Sequence, residues 1–297
     1  MRDIAQTGIA AIVDQLLAPA GAPGIYARSA VFERVLEGLN ALITRNRDAS
    51  TEVMTFPPIT SRQMLEKSGY LKSFPHLLGC VACLHGDEGT IRSRVERNDW
   101  VESLGATELV LSPAACYPLY PMVALRGAVA NQGATFDVSS YCFRRETTHE
   151  TGRLQAFRMR ELVCVSTPEV ALEFREKWVG RAELLAKQLM LPHRIAPASD
   201  PFFGRVGKMM AMSQVEQALK FEWLIPIESE ERPTACMSFN YHQDHFGEIW
   251  DIHTVNGDLA HTTCVAFGLE RLTLALFATH GIELRSWPPL VRQTLGV

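Results

Sequence analysis

Two segments of the chain combine arginine, glutamate and glycine in a way that suits a polyanionic ligand. The first is Tyr141-Cys142-Phe143-Arg144-Arg145-Glu146, which returns through a polar loop as Gly152-Arg153-Leu154-Gln155-Ala156-Phe157-Arg158-Met159-Arg160-Glu161. The second is Ala266-Phe267-Gly268-Leu269-Glu270-Arg271. Strand side chains alternate between faces, so Cys142, Arg144 and Glu146 are expected on one face and Phe143 and Arg145 on the other. A cation and a carboxylate two residues apart can then meet one ligand, and guanidinium is the side chain best shaped to hold phosphate. Taken singly, each segment is ordinary. An Arg-x-Glu on a strand is usually a surface ion pair, and a glutamate in a first helical turn merely suits the helix dipole.

The elements that must carry these residues follow from the pattern. Residues 1–22 suggest a short amphipathic helix ended by Ala18-Pro19-Ala20-Gly21, and Phe32, Val35, Leu36, Leu39, Leu42 and Ile43 give helical spacing over 31–45. Pro57-Pro58 breaks any helix, so 52–59 reads as extended. Residues 136–146 and 154–165 read as an antiparallel hairpin, 168–190 as a helix, and 208–219 as a second helix within a loop. Strands are expected at 221–227, 234–241 and 248–254, and a helix over 265–279 capped by Gly281. Strands and helices do not alternate as a parallel fold requires. The expected fold class is therefore α+β, a mixed and mainly antiparallel sheet flanked by helices.

Composition narrows the function. With 297 residues, a hydrophobic content of 47% and a charged content of 21%, the chain suits one large soluble domain. A net charge of −4 gives no global case for a nucleic-acid binder. No signal peptide is read at the N-terminus, and no apolar run approaches a membrane span. Seven cysteines without a secretion signal point to free thiols in a reducing, cytoplasmic compartment or to metal ligands. Cys80-Val81-Ala82-Cys83 has a redox or zinc-knuckle spacing but sits in an apolar stretch with no second pair, and is expected to pack in the core. His242 and His245 are read as loop or pocket-wall residues.

In their order and settings, the two arginine segments resemble motifs 2 and 3 of the class II aminoacyl-tRNA synthetases, and the helix and proline-bearing strand over 31–59 resembles motif 1. The resemblance implies a class II synthetase-like catalytic core that binds ATP with Mg²⁺ and makes an aminoacyl adenylate. It implies Arg144 and Arg271 as the catalytic arginines, on the α-phosphate and over the adenine and γ-phosphate. Glu146 would accept from the adenine amino group, Arg153 would hold the outer phosphates, and Leu154 would pack the base. Ala235, Cys236, Met237 and Ser238, in the segment Thr234–Asn240, would approach ATP. Motif 1 implies a homodimer.

The resemblance continues toward the zinc-dependent branch related to the atypical archaeal seryl-tRNA synthetases. There, a cysteine, a motif 2 glutamate and a motif 3 cysteine bind Zn²⁺, which places Cys116, Glu161 and Cys264 as metal ligands and Glu161 also at the substrate. Their spacing carries no signal of its own. Leu191-Pro192-His193-Arg194 and Phe221-Glu222-Trp223-Leu224-Ile225-Pro226 are similar to further seryl-synthetase segments. No tRNA-binding arm or anticodon domain is read, and a helical insertion is expected near 200–220. A free-standing core of this kind, with Ala114–Pro118 and Ser238–His242, looks most like the amino acid:carrier-protein ligases. That family implies activation of glycine or alanine and transfer to the phosphopantetheine thiol of a carrier protein, with no tRNA. The helix bearing Arg205, Lys208, Met209, Met210 and Met212 is the expected docking surface. A minimal tRNA-aminoacylating enzyme and a catalytically silent amino-acid sensor are the competing readings.

Overall fold

The computed structural model describes residues 9–146 and 152–297. Helix α1 (Ile9–Leu16) leads into a small hairpin of β1 (Leu17–Pro19) and β2 (Tyr26–Arg28), followed by α2 (Ala30–Asn46). Next come β3 (Glu52–Thr55), β4 (Ile59–Ser61), α3 (Arg62–Lys67), α4 (Tyr70–Ser73), β5 (Cys80–Leu84), α5 (Glu88–Glu96), β6 (Leu104–Leu111) and α6 (Leu119–Ala124). The long hairpin β7 (Ala134–Phe143) and β8 (Ala156–Ser166) precedes α7 (Pro168–Leu189), β9 (Arg194–Pro197) and α8 (Gly204–Glu216). The chain ends with β10 (Lys220–Ile225), β11 (Thr234–Gln243), α9 (His245–Trp250), β12 (His261–Gly268), α10 (Leu269–His280) and α11 (Pro289–Leu295).

Seven strands form the main sheet in the order β3-β7-β8-β12-β11-β10-β9. Only the β3–β7 pair is parallel. The expected mixed, mainly antiparallel sheet is therefore present. Alternation along the central strands feeds two cores. Leu162 and Val265 pack with α2, α7, α10 and α11 on one face, whereas Val163 and Cys264 pack with α6 and α9 on the other. Helix α2 is held by the spacing read from sequence: Phe32, Val35, Leu36, Leu39, Leu42 and Ile43 are all buried, and Ser29 caps it by accepting from the Phe32 N–H. Among the described residues no helix is long and apolar enough to cross a membrane.

Several expectations are corrected. Residues 265–268 are strand, not helix, because they are hydrogen-bonded between β8 and β11, and the helix starts only after Gly268. Residues 248–254 are not a strand; 245–250 form α9, where Phe246 stacks on Tyr120 at 3.9 Å and a Cβ on Gly247 would lie 2.2 Å from the Ala260 carbonyl oxygen. That close approach seats the helix and overrides the β-propensity of Ile249 and Trp250. The helix expected at 208–219 runs from Gly204 to Glu216. Cys80 and Cys83 do lie on a strand, but both are exposed, because the separate β4-β6-β5 sheet has little core of its own. The first eight residues of the expected N-terminal helix lie outside the described residues, and the β1–β2 hairpin was not anticipated.

Candidate active site

The loop from Ser112 to Pro118, β8 with Arg144, Gly152 and Leu154 beside it, β11, β12 and the start of α10 line a cavity of about 480 Å³. Strand parity decides what reaches it. On β8, Phe157, Met159 and Glu161 face the cavity, while Arg158 and Arg160 face the helices. Arg158 pairs with Glu33 of α2 at 2.6 Å and with Glu270 at 2.9 Å. Arg160 clamps Asp137 through two bonds of 2.8 and 2.6 Å. The sequence segment thus splits into a cavity side and a structural side.

At one end of the cavity, Cys116, Glu161 and Cys264 converge, with their ligand atoms all within 4.8 Å of one another and all three residues buried. The sheet register brings two of them together: Glu161 lies opposite Ala266, so Cys264, two residues earlier on β12, is its diagonal neighbour on the same face. The third comes from the 112–118 loop, which is tied to the same carboxylate: Glu161 Oε1 accepts from the backbone N–H groups of Ala115 at 2.7 Å and Cys116 at 3.0 Å. No lysine or arginine among the described residues forms an ion pair with Glu161. A carboxylate that is 1% exposed and lacks a cationic partner is costly unless a cation completes the site.

Burial and the Glu161 charge also act on the two thiols. Its hydrogen bond with Cys264, burial and the Glu161 charge all push the Cys116 thiol well above its ordinary pKa. The bond from Cys116 favours the Cys264 thiolate, but burial and Glu161 outweigh it, and that thiol is raised as well. Two thiols and one carboxylate at this separation fit a tetrahedral Zn²⁺ with one position left for a ligand. Asn240 lies directly opposite Cys264 in the register and donates to its sulfur at 3.2 Å. His242 stands 3.7 Å from the same sulfur and forms part of the cavity wall, as read from sequence.

The other end of the cavity holds Arg144, Leu154, Phe157, Arg271 and the β11 residues Ala235, Cys236, Met237 and Ser238. Strand β7 ends at Phe143, so the alternation assumed through Glu146 stops there. Arg144 nevertheless turns inward and donates to the Pro113 carbonyl at 3.0 Å, with its guanidinium carbon 5.7 Å from the Phe157 ring centre. Arg271 donates to the carbonyls of Gly152 and Ala235 at 3.1 and 3.0 Å. Glu146 and Arg153 do not line the cavity wall. They pair with each other at 2.7 Å, and the same Glu146 oxygen lies 3.9 Å from Arg271. Burial raises the Glu146 carboxyl, but Arg153, Arg271 and Arg144 together hold it below its ordinary value.

Four wall residues were not assigned to the site from the sequence. Phe157 was available from strand parity with Glu161. Asp200 and Lys220, paired at 2.6 Å, and Asn240 had no local signal.

No family model matches the chain. It is 56% identical over 290 residues to amino acid–acyl-carrier-protein ligase 1 of Bradyrhizobium diazoefficiens, covering 96% of this chain and 89% of that one. It is 29% identical over 201 residues to the type-2 serine–tRNA ligase of Methanopyrus kandleri, covering 63% of this chain and 38% of that one. The solved structure of M. kandleri seryl-tRNA synthetase in complex with A. aeolicus tRNASec matches with a TM-score of 0.83 at 20% identity, over 98% of this chain and 60% of that one. The fold is therefore that of the class II synthetases.

Proposed function

This chain belongs to the amino acid–acyl-carrier-protein ligase family, and from that premise we propose that it activates glycine or alanine with ATP and passes the aminoacyl group to the phosphopantetheine thiol of a carrier protein. The observation that carries this reading is one cavity with a Cys116–Glu161–Cys264 cluster at one end and Arg144 and Arg271 at the other. On this reading residues 1–297 form a single catalytic domain. Two copies associate through the α2–β3 region, and the enzyme works in the cytoplasm.

The residues suit the chemistry. The amino-acid carboxylate attacks the α-phosphorus, a bond to pyrophosphate breaks, and charge grows on the phosphoryl oxygens. Arg144 and Arg271 are held by backbone carbonyls, so they meet that charge already oriented. The nucleophile is already a carboxylate, so no general base is required. Leu154 and Phe157 offer apolar surface to the adenine, Ala235 to Ser238 line the nucleotide side, and Mg²⁺ accompanies the phosphates. Glu146 and Arg153 exchange their mutual pair for the adenine amino group and the outer phosphates. Cys116, Glu161 and Cys264 would hold Zn²⁺, which supplies a Lewis-acid position for the neutral α-amine of the amino acid. Asn240 orients the Cys264 sulfur. In the second step the carrier thiol loses its proton to solvent, its sulfur bonds to the adenylate carbonyl carbon, the C–O bond to phosphate breaks and AMP leaves.

Helix α8 is the proposed carrier contact. Met210 lies at the cavity, while Val206, Met209 and Met212 are 65–70% exposed beside Arg205 and Lys208. Such a mixed basic and Met-rich surface suits an acidic helix.

The test is intact-mass spectrometry of a phosphopantetheinylated carrier after incubation with the protein, ATP, Mg²⁺, glycine, alanine and serine. A mass gain on the carrier identifies the amino acid. Activation without a gain would move the acceptor to tRNA, and neither would favour a sensor.

A further inference from the structure

The hairpin that precedes α2 touches both arginine-bearing segments through contacts for which the reaction above has no use. Its tip is built for close approach: Ala20 N–H donates to the Ile25 carbonyl at 2.9 Å, and Gly24 has a φ of +76°, which disfavours any side chain. A Cβ on Gly24 would lie 2.8 Å from Cγ of Gln155. The tip and Gln155 are bonded twice. The Gln155 backbone N–H donates to the Gly24 carbonyl at 2.9 Å, and its side-chain amide donates to the Pro23 carbonyl at 2.8 Å. On its other side the Gln155 carbonyl accepts from the Arg144 backbone N–H at 2.9 Å. Gln155 therefore stands between the hairpin and Arg144.

The other end of the hairpin reaches the second segment. Arg28, on β2, donates to the Ala156 carbonyl at 3.0 Å and lies 3.0 Å from Glu270, the residue before Arg271. Glu270 is 1% exposed and also accepts from the backbone N–H of Arg158. One short hairpin thus fixes the segment just after Arg153 and Leu154 at its tip, and bridges it to the start of α10 at its base.

We propose that residues 17–28 act as a positioning clamp for the nucleotide, with Gln155 and Arg28 as positioning residues that set Arg144 and Arg271 relative to each other. The inference rests on the reading of those two arginines as nucleotide-binding. It concerns one end of the cavity only, because the hairpin makes no bond to Cys116, Glu161 or Cys264. The clamp should therefore separate the two substrates.

The experiment compares wild-type protein with Gln155→Ala, Arg28→Met and Gly24→Ala. Mg·ATP affinity is measured by calorimetry, and Michaelis constants for glycine and alanine by ATP–pyrophosphate exchange. The expected result is an ATP affinity weakened about three- to tenfold, as loss of one or two hydrogen bonds produces, with the amino-acid constants unchanged. Circular dichroism identifies any variant that does not fold, and Gly24→Ala, which strains the hairpin tip and displaces Gln155, serves beside the other two. Unchanged ATP affinity in the folded variants would overturn the clamp alone. Equal weakening toward ATP and amino acid would also overturn it, by showing a general loss of structure. Absence of ATP binding by the wild-type protein would overturn the reading of Arg144 and Arg271, and the clamp with it.

Discussion

Arg160 and Glu161 are neighbours on β8, yet they serve opposite faces of the sheet: Arg160 binds Asp137 beneath α2, and Glu161 gathers the 112–118 loop at the cavity. Their substitutions should have opposite consequences. Arg160→Met leaves Asp137 with only Arg47, and breaking a buried pair of this kind costs about 3–5 kcal/mol. Its urea midpoint should fall sharply while zinc content stays stoichiometric. Glu161→Gln keeps an oxygen for the Ala115 and Cys116 N–H groups but removes the charge. It should fold normally, lose zinc on dialysis and lose amino-acid activation, as should Cys264→Ala. Full activation by a folded, zinc-free Cys264→Ala would falsify the metal's role.

Asp137 also gives a pH prediction. Burial raises its carboxyl, but Arg160 and Arg47 outweigh that and hold it below the ordinary value. The unfolded chain, where an aspartate titrates near about 3.9, therefore takes up the proton first on acidification. The stabilisation is complete above that unfolded value and is lost as pH falls through the lower folded one. Asp137→Asn should be less stable near neutrality and show a shallower acid limb in urea unfolding. An unchanged limb would remove Asp137 from the account.

On the proposed reading, the Glu146–Arg153 pair opens for both groups to meet ATP. Glu146→Gln keeps a hydrogen-bond acceptor but weakens the hold on Arg153 and Arg271. Arg271→Ala removes a group set in place by two carbonyls. Loss of one charge-assisted bond is worth about 1.5–3 kcal/mol, so Arg271→Ala should raise the Michaelis constant for ATP or lower kcat by roughly 10- to 100-fold in pyrophosphate exchange. Glu146→Gln should do less, and chiefly in the Michaelis constant.

The surface of α8 predicts a defect confined to the second step. Arg205→Glu combined with Lys208→Glu should slow carrier loading while pyrophosphate exchange continues at the wild-type rate. Both side chains are exposed, so neither substitution removes a core contact. Equal loss of both steps would sink the docking assignment.

What the sequence made legible was local. The β7–β8 hairpin, α2 and α7 follow from turn chemistry and the spacing of apolar residues. The inward turn of Arg144 did not follow from strand alternation, because β7 ends one residue before it, at Phe143. The convergence of Cys116, Glu161 and Cys264 was not legible in that way, since only register between β8 and β12 and the loop on Glu161 bring them together. Resemblance supplied that set, and the geometry gives it a physical cause. The failures share another origin. Val265–Gly268 and Ile249–Trp250 are apolar runs whose state is decided by neighbours: two flanking strands in one case, the Tyr120 ring and the Ala260 carbonyl in the other. Cys80 and Cys83 looked like core because apolar residues surround them in sequence, but the small core of their sheet, Leu65, Tyr70 and Val110, does not reach them.

That sheet has a consequence for how the molecule breathes. Helix α5 buries no residue, and Leu84, Val95, Trp100, Val101, Leu104 and Leu109 are all 38–59% exposed, so little apolar contact opposes local opening of residues 80–109. Amide hydrogens there should exchange with solvent well ahead of those in β8 and β12, where both faces are covered. The protein would then be read by exchange as a slow, closed frame around the cavity with a fast outlying flap.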